Sequence, residues 1–116
     1  MPSVASGGGG GGDELFLVAM PTMRVPIIDG RQADGRLIFN IVLRAPDAEQ
    51  AKALEAEMPA LREAVLASAI EFARLYASPH LPVDADRLAH QLQAELHHRE
   101  PAVSGLLLTR VMAESV

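Results

Sequence analysis

The sequence has no cysteine and no tryptophan, one tyrosine, three phenylalanines and a single lysine. Without thiols there is no disulfide framework, no thiolate nucleophile and no cysteine metal site, and the redox compartment stays open. Aromatic residues make up 3% of the chain, too few to build base-stacking platforms. The remaining basic residues are arginines scattered singly, and the net charge is −5, whereas phosphate binding requires clustered cations. Nucleic acid is therefore excluded as a partner. No run approaches the roughly 18 apolar residues of a membrane-spanning helix, so no membrane span is expected in this chain.

What is present fits one globular domain: 49% of the residues are hydrophobic and 22% charged, outside the disordered range. Residues 1–12 end in six consecutive glycines, which lose backbone entropy on ordering and bring no side chains to bury. They read as a flexible leader, and 13–116 as a single α+β domain. Ser3-Val4-Ala5-Ser6 has the small-residue character found at the end of a secretory signal peptide. That leads to the expectation of a periplasmic or otherwise secreted protein whose signal or anchor has been trimmed, with the cytoplasm as the alternative.

Leu15 to Met20 is continuously apolar, and Met23, Val25, Ile27 and Ile28 follow it. Pro21 and Pro26 each remove a backbone donor, so this stretch reads as an edge strand or two short pieces. Asp29-Gly30 and Asp34-Gly35 are turn dipeptides and bracket a loop. From Arg36 to Ala45 the residues alternate, with Leu37, Phe39, Ile41 and Leu43 on one face and Ile38, Asn40, Val42 and Arg44 on the other. Such a strand suits a sheet covered on one side.

Asp47 then offers a helix cap with Gln50 in the capping-box position. Ala51, Leu54, Met58, Leu61, Val65, Ala69, Phe72 and Tyr76 form a helical stripe of about seven turns. Pro59 falls inside it, and a continuous helix kinked there is preferred to two helices meeting near Glu57. After a proline-rich loop, Asp84 caps a shorter helix with Leu88, Leu92 and Leu96 on its stripe. Val103 to Met112 closes the chain as a strand with Leu106, Leu108 and Arg110 on one face and Leu107, Thr109 and Val111 on the other. The expected architecture is a three-stranded antiparallel or mixed sheet in the order β-β-α-α-β, with the long helix and the shorter one on one face.

Catalytic and metal chemistry fail on spacing. His90 and His97 lie seven apart, about 10.5 Å along a helix, too far for one metal ion. Asp84 and Asp86 sit at a helix start, which favours negative charge for its own sake. No serine lies in a nucleophile elbow, and the glycine run is followed by no Lys-Ser/Thr. No catalytic residue, metal or cofactor is assigned, and the chain is read as non-enzymatic. Leu15 to Met20 and Leu106 to Leu108 are apolar on both faces, an assembly liability unless another chain covers them. With the charged hairpin tip, this makes Leu15, Leu17, Asp29, Arg31 and Leu107 the candidate partner-contact surface. The partner is another protein chain, and the protein a homo-oligomer or complex subunit. A small-molecule site in the helix–sheet groove is the alternative, and it lacks convergent polar groups.

Several phrases also carry a resemblance: Val25-Pro26-Ile27, Asp29-Gly30-Arg31, the strand Leu37 to Leu43, the helix phrase Glu57-Met58-Pro59-Ala60-Leu61-Arg62-Glu63-Ala64-Val65, and Val103-Ser104-Gly105-Leu106-Leu107-Leu108. Over roughly 15–112 the chain resembles the periplasmic domain of the flagellar basal-body FliL family. The resemblance implies a periplasmic, stomatin-like, non-enzymatic domain that self-associates and supports a membrane-anchored assembly such as the flagellar stator. That family carries an N-terminal membrane helix where this sequence has a glycine-rich segment, so an accessory role in another envelope complex is the alternative.

Overall fold

The computed structural model describes residues 16–115, with Asp29 placed by its backbone only. The leader and Leu15 lie outside the described residues. Four strands and three helices follow in the order β1 (Phe16–Ala19), β2 (Met23–Asp29), β3 (Gln32–Ala45), α1 (Ala48–Ala56), α2 (Met58–Tyr76), α3 (Ala85–Arg99) and β4 (Gly105–Ser115). The class is α+β, and the sheet is antiparallel throughout.

The long strand β3 is the axis of the sheet. β4 pairs with it from Gly35 to Arg44 along one edge. On the other edge β1 pairs with Ala45 to Val42 and β2 with Phe39 to Gln32, so the two lie end to end. The prolines explain this division. Pro21 falls in the gap between β1 and β2, which Met20 N–H bridges by donating to the Ile41 carbonyl at 3.1 Å. Pro26 lies on an outer strand, where a missing donor is tolerated.

Two bulges set the strand faces. Ile27 pairs with Gly35 and Ile28 with Ala33, leaving Asp34 as the extra residue. The expectation that Asp34-Gly35 makes a turn is therefore corrected: both residues run inside β3, and the hairpin turns at Gly30-Arg31, with Gly30 at φ 67°. In β4, Leu108 pairs with Ile41 and Arg110 with Asn40, so Thr109 is extra. The strict alternation expected there is corrected as well. Past Thr109 the parity reverses: Val111 and Ala113 join Leu106 and Leu108 against the core, and Arg110 moves to Leu107's face.

The long helix is two helices and not one kinked helix. Pro59, in the first turn of α2, has no N–H to donate to the Glu55 carbonyl, and the backbone breaks at Glu57 (φ −99°, ψ 13°). Glu57 N–H caps α1 on the Ala53 and Leu54 carbonyls, and its own carbonyl accepts from Leu61 N–H. Asp47 and Asp84 cap α1 and α3, their carboxylates accepting from Gln50 N–H (2.8 Å) and Arg87 N–H (3.1 Å). Asp84→Ala is expected to lower stability by about 1 kcal/mol in urea denaturation, and a neutral result would show that the cap contributes nothing to α3.

All three helices pack on one face of the sheet, α1 over β1 and β3, α2 along β2, α3 along β4. The core joins Leu37, Phe39, Ile41 and Leu43 to Leu54, Leu61, Val65, Phe72, Leu88, Leu92 and Leu96. Tyr76, expected on the α2 stripe, is half exposed: it is the last residue of α2, with its ring 5.5 Å from that of Phe72 on one side and Arg87 over it on the other. Gln91 Nε2 ties α3 to α2 through the Ser68 carbonyl at 3.0 Å.

Candidate functional site

With the helices on one side, the second face of the sheet is left open. Among the described residues nothing packs over it. The pairing lays it out in cross-strand rows. From one end to the other these run Leu17–Arg44–Gly105, Ala19–Val42–Leu107, then Asn40–Arg110, Arg24–Ile38–Met112 and Pro26–Arg36–Glu114. Leu17 is 49% exposed and Leu107 45%, where a core leucine of the same sheet is fully buried. Ile38 is hidden although no helix lies over it, screened by the side chains of its own face.

Apolar rows at Val42 and Ile38 flank a polar row at Asn40 and Arg110, and cations recur at intervals. The face holds four arginines and one glutamate, on a chain whose net charge is −5. Arg36 pairs with Glu114 at 3.4 Å, and both are well exposed, so the pair is worth little. Among the described residues no carboxylate lies within ion-pair distance of Arg24, Arg44 or Arg110. The Arg44 side chain lies across Gly105: a Cβ at that glycine would stand 3.0 Å from its Cδ and 3.3 Å from its Nη1. The residue facing Arg44 is thus one that leaves it room. In the row between, Asn40 Nδ2 donates to Thr22 Oγ1 at 2.7 Å, which satisfies that polar pair internally.

Of the expected contact residues, Leu17 and Leu107 share this face, on opposite outer strands in adjacent rows and about 12 Å apart. Asp29 and Arg31 do not join them. They belong to the hairpin tip, and the β3 residues opposite Asp29 and Leu17 (Gln32 and Arg44) are separated by about 40 Å of strand. Sequence reading missed Val42, Ile38, Met112 and the arginines. The alternation of β3 already set Ile38, Val42 and Arg44 on one face, and that was the available signal. Arg110 and Met112 were hidden by the Thr109 bulge.

Elsewhere the chemistry is structural. His97 Nδ1–H donates to the Val103 carbonyl at 2.8 Å and anchors the turn before β4. Arg87 lies 4.3 Å from the centre of the Tyr76 ring and pairs with Asp84 at 3.5 Å, beside a shallow depression between α2 and α3. The helix–sheet groove is filled by Leu61, Val65 and Phe72, all buried. Among the described residues no three His, Asp or Glu side chains converge to hold a metal ion, and no helix is long and apolar enough to cross a membrane. The open face offers apolar contact and guanidinium donors, which suits binding. Compared with models of protein families, with curated proteins and with solved structures, the chain matches none.

Proposed function

We propose that this chain is a non-enzymatic protein-docking domain, a structural subunit that joins a larger assembly through the open face of its sheet. The observation that carries this reading is the uncovered row Ala19–Val42–Leu107 with Leu17 beside it, on a face interleaved with arginine. Interfaces are enriched in aromatic residues, arginine and methionine and depleted in lysine; this face has the arginines, Met112 and no lysine, and no aromatic residue. An envelope setting of the flagellar kind, periplasmic and supporting a membrane-anchored assembly, draws its support from the sequence phrases alone. The most specific of these, Met58-Pro59-Ala60-Leu61-Arg62, also has a folding explanation: Pro59 starts α2 and Leu61 is buried in the core. The docking reading does not depend on it.

A photo-reactive amino acid placed at Leu107 or Val42 in the full chain tests the reading in producing cells. A discrete cross-linked adduct is expected from both positions, and none from the control positions Leu66 and Ile70 on the exposed side of α2. Absence of adducts at the sheet positions, or equal adducts at all four, would contradict it.

A further inference from the structure

Building on the docking reading, we infer that the open face seats a single amphipathic helix of another protein, with acidic residues flanking its apolar stripe. Three features of the face lead there. The first is size. The sheet is three strands wide, about 10 Å between the outer two, which matches the 10–12 Å diameter of one helix. From Arg36 to Arg44 the face runs about 26 Å, the length of a helix of roughly 18 residues. One helix along β3 would cover it and complete a second helical layer.

The second feature is the placement of charge. On the central strand Ile38 and Val42 offer two apolar contacts for the stripe, with Asn40, bonded to Thr22, between them. Arg24 lies on one outer strand and Arg110 on the other, with Arg44 at one end of the face. A helix with carboxylates on both flanks would meet a guanidinium on each side. Arginine's planar fork holds carboxylates in two-point contact, which a lysine does not.

The third feature is what the face disfavours. A second copy docked face to face would set arginine against arginine and leave its own Glu114 as the one counter-charge. An anionic bilayer is met by cationic faces that anchor with tryptophan or tyrosine at the interface, and this face has neither aromatic.

The test uses two synthetic peptides of about 18 residues with the same leucine stripe, one flanked by glutamate and one by lysine, titrated into the full chain by fluorescence anisotropy. The acidic peptide is expected to bind saturably at one per chain and to weaken as salt rises. The double variant Arg24→Glu/Arg110→Glu is expected to lose about tenfold or more of that affinity and to gain the basic peptide, a reversal that an unfolded protein would not produce. Leu107→Asp should weaken the acidic peptide as well. Equal binding of both peptides, or acidic-peptide binding unmoved by the charge reversal, would overturn the inference. So would binding to vesicles of phosphatidylcholine and phosphatidylserine in place of the peptide, which would assign the face to lipid. Growth of mass with concentration in sedimentation, abolished by the same reversal, would overturn it in favour of a second copy. If the inference fails while discrete adducts persist at Leu107 and Val42, the docking reading stands; if the adducts are absent too, both fall.

Discussion

Replacing Phe39 by alanine is expected to lower stability by about 3–5 kcal/mol, while Ile38→Ala lowers it by about 1 kcal/mol. Burial alone does not separate these neighbours, since Phe39 is 0% exposed and Ile38 7%. They differ in what surrounds them. Phe39 points into the layer between sheet and helices, with Met23 and Val111 opposite it on the flanking strands. Its loss leaves a cavity walled by close-packed side chains that cannot collapse. Ile38 sits on the open face between Arg24 and Met112, whose flexible side chains can close over a smaller residue or let water in. Against a total stability of about 5–15 kcal/mol for a domain of this size, the first change approaches unfolding and the second is mild. Urea denaturation of both variants, with the slope on denaturant unchanged, gives the comparison. Equal losses would mean that the second face is covered in the folded chain, and the candidate site would vanish with it.

The one-sided sheet was legible because β3 alternates without interruption from Leu37 to Leu43, and burial follows that alternation at every position but Ile38. The α+β class followed from this strand and from the leucine spacing of the helices. What escaped reading has a common cause. Periodicity reports which residues share a face only while the count stays regular, and a bulge or a proline changes the count. Thr109 shifts β4 by one residue, so Arg110 was read off the face on which it lies, and Met112 was given no face. Pro59 preserves the apolar spacing on both sides of it, and the stripe therefore read as one helix although the hydrogen-bond ladder stops at Glu57. Two residues of the candidate site were found from sequence, Leu17 and Leu107, by their surplus of apolar character. Arg24 and Arg110 could not be, because they lie on other strands and gather beside Arg44 only when three strands are laid side by side.

Asp34-Gly35 is the most instructive misreading, and it leads to the second large effect: Gly35→Ala is expected to cost about 3 kcal/mol, against about 1 kcal/mol for Gly30→Ala. Local chemistry favours a turn at both Asp-Gly pairs, yet only Gly30 has the left-handed backbone, with φ 67° and open space where a side chain would go. Its replacement meets conformational strain alone. At Gly35 the need is for room. A Cβ there would collide with the Glu114 carbonyl oxygen and stand 2.8 Å from the Pro79 Cβ, so the end of β4 and the loop after α2 must both give way. The glycine lets the Asp34 bulge bring β3 close under its neighbours, where β2, β4 and the helix layer meet. Amide hydrogen exchange separates the two glycines further. Gly35→Ala should lose protection around Ala113 to Ser115, whereas Gly30→Ala should change exchange only at the hairpin tip. Were Gly35→Ala as mild as Gly30→Ala, β4 would have to slide past the bulge at little cost, and the register that aligns Glu114 with Arg36 on the open face would not be fixed by this glycine.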